Sequence, residues 1–321
     1  MKIYTPKELP LNFPTVLTIG SFDGLHLGHK RLIEKAQELA NKLDAIPGVL
    51  SFDPHPRLVL GKEPNFKLLT TLEEKIYLLK ELGIELLILL PFSAHLATMT
   101  PDAFVEELLV DNMKVRGIVI GFNFRFGRNR KGTPEYLKKL GERYGFLVEE
   151  VPPVNIENTL VSSTTIRGLL QKGEVEKANK LMGHPYFMIG KVVKGKSRGK
   201  KIGFPTANLE FPEEKLIPAP GVYAALVNWK DQTYKGAMNI GTKPTFMDKD
   251  LSVEVHLLGF EGNLYDETLK VRLFYRIREE KKFSSVEELK NQINIDCQKV
   301  DQLLSQIQKP FINFFKGSSS L

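Results

Sequence analysis

The first half of the sequence alternates between short apolar runs and longer stretches in which apolar residues recur every three or four positions. The run from Thr15 to Ile19 is rich in β-branched residues, and the residues after it have the spacing of an amphipathic helix. Further strands are predicted at 49–52, 84–90, 115–120 and 146–151. This alternation predicts an α/β domain with a parallel sheet and helices on both of its faces.

Helix starts in this half are marked by capping residues. Thr71 and Glu74 form a capping-box pattern that opens a helix. Thr100 and Thr133 each precede a proline, which is favoured at the first position of a helix. These signals place helices between the predicted strands, as the alternating pattern requires.

The pattern changes after Gly183-His184-Pro185, where short strand-like runs are separated by glycine and proline. Strands are predicted at 187–193, 222–228, 234–240, 252–258 and 269–276, which indicates an antiparallel barrel or sandwich. Ser285 and Glu288 then predict a last helix. We therefore expect one domain at 1–184, a second at 185–310 and a tail at 311–321.

Composition narrows the class of protein. The 321 residues are 42% hydrophobic and 26% charged, as in ordinary globular domains. The net charge of +7 favours anionic ligands such as nucleotides or nucleic acid, although the basic residues are spread widely. The single cysteine, Cys297, excludes an internal disulfide, and no apolar run is long enough to span a membrane. We expect a cytoplasmic protein that is a monomer or a weak homo-oligomer.

A segment rich in glycine and histidine, from Gly20 to His29, joins the first predicted strand to the first helix. In open α/β sheets ligands bind beyond the carboxyl ends of strands, where a helix N-terminus offers N–H groups to phosphate. His26 and His29 are three residues apart, so on a helix they would share a face and could hold a triphosphate. The alternatives are a surface turn, or a zinc site that would need the distant His55.

Two other segments of the first half place polar residues where a ligand could bind. Ser162 and Ser163 can cap a helix, and Arg167 would lie one turn further on, where its guanidinium can clamp phosphate oxygens. The alternative is a plain helix cap with a solvated arginine. The prolines of 52–56 stiffen a loop after a strand, which is either a functional loop or a structural turn.

A basic, glycine-containing loop is the most informative stretch of the second half. Glycines at 195, 199 and 203 among basic residues suit a loop over phosphates, but the P-loop spacing is absent because Lys201 follows Gly199-Lys200. Thr206 and Asn208 are two apart, so in an extended segment their oxygen atoms would face one side and could bind Mg²⁺ with ATP phosphates. A turn before a strand is the alternative.

Several motifs occur together and in the order found in one known family. His26-Leu27-Gly28-His29 resembles the HxGH motif of the nucleotidyltransferase superfamily. From about residue 10 to 305 the sequence resembles the prokaryotic bifunctional FAD synthetases. The other matching segments are 22–24, 52–56, 121–127, 162–167, 203–208 and 239–246.

This resemblance implies a fold and two reactions. The fold would be a Rossmann-like adenylyltransferase domain followed by a riboflavin kinase-like β-barrel with a C-terminal helix. The reactions would be phosphorylation of riboflavin to FMN and adenylylation of FMN to FAD, each using ATP and Mg²⁺. The expected partners are these small molecules, with neither nucleic acid nor a membrane.

The expected site residues fall into four roles. The expected catalytic residues are Glu254, His26, His29 and Arg167. The expected ATP or phosphate contacts are Gly20, Phe22, Asp23, Gly24, Gly28, Ser162, Ser163, Thr164, Gly195, Arg198, Gly199 and Lys200. The expected flavin contacts are Phe52, Pro54, His55, Pro56, Asn123, Phe124 and Arg125, and the expected metal ligands are Thr206 and Asn208.

Some of these residues have a second interpretation. By resemblance Glu254 is the base that accepts the proton of the ribityl 5′-hydroxyl, yet a glutamate between Val253 and Val255 could simply lie on the solvent face of a strand. Phe124 alternates with two other phenylalanines and could equally be core packing. Three positions depart from the usual family pattern. Lys200 stands where arginine is common, Gly259 where aspartate is frequent, and Asp266 where glycine is common.

Two other classes of protein share parts of this pattern. A class I aminoacyl-tRNA synthetase relative would also have an HxGH-type motif, but the sequence has no KMSKS-like stretch and no dense basic patch interleaved with aromatic residues. A non-enzymatic flavin-binding protein on the same fold is the third possibility. The intact set of expected catalytic and metal-binding residues argues against it.

Overall fold

The structure, a computed structural model, describes residues 1–61, 63, 65–195, 199, 202–244 and 249–307. The chain divides into two compact units. The first consists of Met1–Phe66 and Lys75–Val161, and the second of Lys67–Glu74 and the chain from Ser162 onward.

The first unit is built on a six-stranded sheet in which every strand pair is parallel. Its strands are β1 (Lys2–Tyr4), β2 (Thr15–Ile19), β3 (Ile46–Phe52), β4 (Leu86–Leu90), β5 (Val115–Gly121) and β6 (Leu147–Val151). Their order across the sheet is β1-β4-β3-β2-β5-β6. A short antiparallel pair, β7 (Asn155–Ile156) and β8 (Thr159–Leu160), follows the sheet in sequence.

Helices occur between these strands as the sequence pattern predicted. They are α1 (Leu27–Leu43), α2 (Pro56–Leu60), α3 (Leu72–Glu81), α4 (Ala94–Thr98), α5 (Pro101–Ala103) and α6 (Pro134–Tyr144). Residues Phe104–Asn112 continue from α5 as a π-helix. The residues of α3 up to Glu74 belong to the second unit, and those from Lys75 onward belong to the first.

Helices cover both faces of the sheet, which confirms the predicted α/β architecture. On one face α1 buries Ala36 and Leu39 in a cluster with Val119 of β5. On the other face Leu109 and Leu137 belong to a cluster that includes Ile118, the neighbouring residue of β5. Successive residues of β5 therefore point to opposite cores, and central strands buried on both sides must be apolar throughout.

The strand order reverses beside β2. The chain passes from β2 to β3 and β4 on one side, and then crosses to β5 on the other side of β2. In open α/β sheets ligands bind at the carboxyl ends of the strands at such a reversal. The loop from Gly20 to His26 leaves β2 at that edge and enters α1.

One strand of this sheet was missed by the pattern analysis. β1 has three residues and pairs in parallel with β4 at the edge of the sheet. Of its residues only Tyr4 is buried. An edge strand this short, with an exposed lysine, lacks the apolar run on which the prediction of central strands depends.

The second unit contains a closed antiparallel barrel, which settles the choice between barrel and sandwich. Its strands are β9 (Tyr186–Val193), β10 (Ala207–Glu210), β11 (Gly221–Trp229), β12 (Gln232–Pro244), β13 (Lys249–Leu257) and β14 (Thr268–Arg278). The order around the barrel is β10-β13-β12-β11-β14-β9, and β10 also pairs with β9 to close it. The short strand β10, inside the expected metal-binding motif, was not predicted.

Three helices of the second unit are described: α7 (Ser163–Gln171), α8 (Val175–Met182) and α9 (Val286–Ser305). Ser285 caps α9 by accepting a hydrogen bond from the N–H of Glu288, as its capping-box pattern predicted. Val300 and Leu304 of this helix are buried in a cluster with Phe274 of β14. Val286, which the pattern placed on the apolar face, is instead 60% exposed at the first turn.

Candidate active sites

The two histidines of the first unit lie at the start of α1. His26 is the N-cap residue, and its Nδ1 accepts a hydrogen bond from the backbone N–H of His29 at 3.3 Å. The two imidazole rings stack, with centroids 3.7 Å apart and planes 15° apart. Because Nδ1 of His26 is an acceptor, the proton of its neutral ring lies on Nε2. The pair therefore presents imidazole groups at a helix N-terminus, where anions bind favourably.

The loop that leads to these histidines has a constrained backbone. Phe22 (φ 49°) and Leu25 (φ 41°) are left-handed although neither is glycine, and both are fully buried. Such conformations cost about 1–3 kcal/mol each and persist only where the surroundings enforce them. Gly24 also has a positive φ, of 85°, and Asp23 between them is 1% exposed. Burial of this loop thus fixes the path of the chain into α1.

Two glycines leave room for aromatic rings. A Cβ on Gly28 would lie 3.2 Å from ring atoms of His26, and a Cβ on Gly20 would lie 3.3 Å from the ring of Phe22. Both distances are tighter than ordinary van der Waals contact, so a side chain would press on those rings. The glycines of the motif therefore let these rings pack close to the backbone of the loop.

His29 has an environment that favours its neutral form. Its ring packs against Phe22, with centroids 5.0 Å apart, as well as against His26. Burial holds the pKa of His29 well below its usual value of 6.5, and the charges of His26 and Lys75 lower it further. Its Nδ1 is buried and has no hydrogen-bond partner within the described part of the chain. His29 is therefore an uncharged imidazole at neutral pH.

The proline-containing loop after β3 is ordered by local contacts. Phe52 is partly buried against the core of the first unit, and the Asp53–Pro54 peptide is cis. His55 caps α2 by accepting a hydrogen bond from the N–H of Arg57 at 3.1 Å, and Pro56 takes the first helical position. His55 thus has a structural function in the turn, which was one of the two predicted interpretations of this segment.

The loop after β5 separates exposed polar residues from packed aromatic ones. Asn123 and Arg125 are exposed, and Arg125 Nη1 donates to the carbonyl oxygen of Phe124 at 2.8 Å. Phe124 packs against the hydrophobic core and stacks on buried Phe126, with centroids 5.6 Å apart. Phe124 therefore packs partly against the core, while the two polar side chains are exposed.

In the second unit, Ser162 to Arg167 form the start of α7. Ser162 is the N-cap residue, and its Oγ accepts a hydrogen bond from the N–H of Thr165 at 3.1 Å. Ser163 and Thr164 occupy the first turn, whose N–H groups point toward the helix N-terminus. Arg167 is 9% exposed, and its Nε donates to the carbonyl oxygen of Lys67 at 2.9 Å. This hydrogen bond holds the Nε end of the Arg167 guanidinium group in place.

The expected metal ligands and the expected base of the kinase step lie on or next to two adjacent barrel strands, β10 and β13. Asn208 of β10 is paired with Glu254 of β13, and Glu254 is paired with Asn239 of β12. Thr206 Oγ1, just before β10, donates a hydrogen bond to Glu254 Oε2 at 3.0 Å. Val253 is buried on the opposite side of β13. The geometry thus brings Thr206, Asn208 and Glu254 together on the outer face of the barrel.

Two glycines of the basic loop lie close to the segment that carries Thr206 and Asn208. A Cβ on Gly195 would lie 2.1 Å from Nδ2 of Asn208, and a Cβ on Gly199 would lie 2.3 Å from the carbonyl oxygen of Phe204. A side chain at residue 199 would therefore clash with the backbone, and a side chain at residue 195 would force the Asn208 amide to move. Arg198 and Lys200, the basic residues expected to contact phosphate, lie outside the described residues.

Comparison with known proteins matches each half of the chain to a different enzyme family. Residues 10–165 match a family described as FAD synthetase, and residues 182–304 match a family described as riboflavin kinase. The bifunctional riboflavin kinase/FMN adenylyltransferase of Bacillus subtilis (strain 168) is 37% identical over 300 residues, which cover 92% of this chain and 94% of that protein. The protein of the same description from Escherichia coli (strain K12) is 36% identical over 88% of this chain and 90% of its own length.

The chain belongs to the bifunctional riboflavin kinase/FMN adenylyltransferase family. It is a transferase with both activities, and its substrates and products are ATP, riboflavin, FMN and FAD. The predicted family, enzyme class and pair of reactions are thereby confirmed.

The fold of this family member is also found in a solved structure. A crystal structure described as a macrolide-efflux protein from Streptococcus pneumoniae has a TM-score of 0.85 and 34% identity, and the match covers 93% of this chain and 98% of that chain. The description concerns that protein, and the match shows a fold shared over nearly the whole chain.

None of the helices within the described ranges combines the length and apolar character that crossing a bilayer requires.

One departure from the family pattern has a structural explanation. Asp266, where glycine is common, has a φ of 65°, in the left-handed region. Aspartate tolerates this region better than most residues. The backbone N–H of Asp266 donates to the carbonyl oxygen of Val192 at 3.0 Å, so the turn is kept. Gly259, with a φ of 71°, keeps a residue that such a backbone favours.

Two residues near these sites of the bifunctional enzyme were not identified from sequence. Lys75 of α3 is 4% exposed and its charge acts on His29. A signal was present, because the Thr71–Glu74 capping box places Lys75 in the first turn of a helix, where a basic residue is unfavourable. His256 contacts the carbonyl oxygen of Pro205 through Nδ1 at 2.7 Å and thereby holds the segment that carries Thr206.

Proposed function

We propose that His26 and His29 act in adenylyl transfer in domain 1–184, and that Thr206, Asn208 and Glu254 act in riboflavin phosphorylation in domain 185–310. The stacked imidazole pair at the N-terminus of α1 is the observation that carries the first assignment. The hydrogen bond between Thr206 and Glu254 supports the second.

The adenylyl step is an in-line displacement. An oxygen of the FMN phosphate forms a bond to the α-phosphorus of ATP, the bond from that phosphorus to the bridging oxygen breaks, and pyrophosphate leaves. The nucleophile is already an anion, so no strong protein base is needed. His26 and His29 would stabilise the charge that develops on the leaving group, and Arg167, Ser162, Ser163 and Thr164 would bind phosphate oxygens.

Flavin binding for this step is assigned to the loops after β3 and β5. We propose that Asn123 and Arg125, which are exposed, contact the flavin or its phosphate. Phe52, Pro54, His55 and Pro56 would shape the neighbouring surface, with His55 acting through the turn that it caps. Phe124, which is partly buried against the core, is proposed as a further flavin contact through the exposed part of its ring.

The kinase step needs a proton acceptor. The ribityl 5′-hydroxyl oxygen forms a bond to the γ-phosphorus of ATP, ADP leaves, and the hydroxyl proton passes to the Glu254 carboxylate. Glu254 is half-buried on the barrel surface and its Oε2 already accepts a hydrogen bond from Thr206. That bond would hold the carboxylate in position for its role as the base.

Mg²⁺ fits the donors at this site. The hydroxyl proton of Thr206 is directed to Glu254, which leaves oxygen lone pairs for a metal, and Asn208 adds an amide oxygen. The described residues contain no group of three His, Cys, Asp or Glu side chains able to hold a metal ion. Two neutral donors suit an ion that arrives with the nucleotide and neutralises charge on its phosphates.

The activity assay uses the full chain with riboflavin, ATP and Mg²⁺, and chromatography resolves the flavins. FMN and FAD should both accumulate, and a Glu254→Gln variant should form FAD only from added FMN. The assignment of Glu254 would be refuted by normal riboflavin phosphorylation in that variant.

Three further properties stay predictions. Fractionation can check the cytoplasmic location, and light scattering can check whether the protein is a monomer or a weak homo-oligomer. A tRNA-charging assay can check the expected lack of nucleic acid binding.

A further inference from the structure

Lys75 is a buried lysine of the first unit that has no role in the adenylyl step proposed above. It is the fourth residue of α3 and is 4% exposed. Its Nζ donates a hydrogen bond to Ser51 Oγ at 3.3 Å, and Ser51 Oγ donates to the carbonyl oxygen of Ser21 at 3.4 Å. This short chain of hydrogen bonds connects Lys75 to the backbone of the loop that carries Phe22 and His26.

The placement of Lys75 is unfavourable for stability. Burial lowers the pKa of Lys75 below its usual value, while the nearby carboxylates of Asp23 and Asp53 oppose that shift. The first turn of a helix also carries partial positive charge, which disfavours a cation there. A charge kept at a buried, doubly unfavourable position indicates a function beyond packing.

We propose that Lys75 is a positioning residue for adenylyl transfer: its ammonium group anchors the loop after β2 and keeps positive charge off His29. This inference rests on the proposed role of His29. An imidazole that stays uncharged keeps one N–H donor and one free lone pair, whereas a protonated ring would have two donors and would bind released pyrophosphate more strongly.

Charged or titratable groups from several elements of the described chain act on these two side chains. His29 is affected by His26 from its own loop and by Lys75 from α3, and it packs against Phe22. Lys75 is affected by Asp23 from the loop after β2 and by Asp53 from the loop after β3. Removing the charge of Lys75 removes one of the causes that lower the pKa of His29, while the burial of the ring, the largest cause, remains.

The test compares Lys75→Met, which removes the charge, with Lys75→Arg, which keeps it, in the full chain. Lys80→Met is the matched control, because Lys80 is an exposed lysine of the same helix. FAD formation from FMN and ATP is measured from about pH 6 to about pH 8. Riboflavin phosphorylation in the same samples reports whether each variant is folded. NMR of histidine-labelled protein follows the titration of His29, with His29→Gln used to assign its signal among six histidines.

We expect Lys75→Met to move the titration of His29 to higher pH and to lower FAD formation by roughly ten- to hundredfold at the acid end, with a smaller loss at the alkaline end. Lys75→Arg and Lys80→Met should leave the titration at its wild-type position. An unchanged His29 titration in Lys75→Met, or a loss of rate that is the same at every pH, would overturn the inference. Full adenylylation by His29→Gln would instead overturn the proposed role of His29 itself, which keeps the two failures distinct.

Discussion

Lys215 and Glu74 form an ion pair inside the second unit, with Nζ and Oε2 2.7 Å apart and both side chains fully excluded from solvent. The same ammonium group donates to the carbonyl oxygens of Leu69 at 2.6 Å and Phe187 at 2.8 Å. Glu74 Oε1 accepts a hydrogen bond from the N–H of Ile189 at 2.8 Å. The segment that carries Glu74 is thereby fixed to β9 of the barrel, although 115 residues separate Glu74 from Ile189.

Lys215→Met should destabilise the second unit strongly. The substitution leaves the Glu74 carboxylate buried without its cation, and breaking a buried pair in this way costs about 3–5 kcal/mol. Trp229, the only tryptophan of the chain, lies in β11. Its fluorescence during denaturant unfolding therefore reports the free energy of unfolding of this unit.

Two further variants give this measurement its controls. Lys177→Met removes one partner of an exposed ion pair with Glu174 and should leave the transition unchanged. Combining Glu74→Gln with Lys215→Met removes both charges and keeps an acceptor for Ile189, so part of the lost stability should return. Equal midpoints for Lys215→Met and Lys177→Met would contradict a stabilising role of the buried pair.

Asn208→Ala should abolish FMN formation and leave FAD formation from added FMN intact. The substitution removes one of the two oxygen donors proposed for Mg²⁺ and lies in the barrel unit, away in sequence from the histidine motif. Chromatography of flavins after incubation with riboflavin and with FMN separates the two activities. Normal riboflavin phosphorylation by this variant would rule out the metal-binding role.

Gly195→Ala should impair the kinase through Asn208. The added Cβ would lie 2.1 Å from the amide nitrogen of Asn208, so the amide must move, and displacements of this order cost up to roughly 100-fold in rate. Gly168→Ala is the matched control, because a Cβ at that helical position meets no atom within 4 Å. A kinase rate in Gly195→Ala equal to that of the control would show that Asn208 tolerates displacement.

His29→Ala should impair the adenylyl step and leave the kinase step intact. Equal loss of both activities would instead point to unfolding.

His29 should also make the stability of the protein depend on pH. The folded protein holds His29 neutral, so below the usual pKa of 6.5 the unfolded chain binds one more proton and stability falls as pH decreases. His29→Ala should remove this part of the pH dependence, measured as the change in melting temperature between about pH 7 and about pH 5.

The capping box of α3 shows which contacts a local sequence pattern can predict and which it cannot. Thr71 and Glu74 were predicted to open this helix, and they do so: the N–H of Thr71 donates to Glu74 Oε2 at 2.8 Å and the N–H of Glu74 donates to Thr71 Oγ1 at 3.3 Å. The same carboxylate also pairs with Lys215, 141 residues away. A capping box is visible in four consecutive residues, whereas this second partner has no local signal.

Sequence alone was sufficient for the alternation of strands and helices, the change to an antiparallel β domain, the helix caps and the family, because each of these depends on neighbouring residues or on motifs of a few positions. Tertiary structure decided which of the motif residues meet. The Thr206–Glu254 hydrogen bond, the close approach of Asn208 to Gly195 and the burial of Lys75 all arise from chain segments that packing brings together. Burial and charge act through space, and their effect on a side chain is fixed only when the whole chain has folded around it.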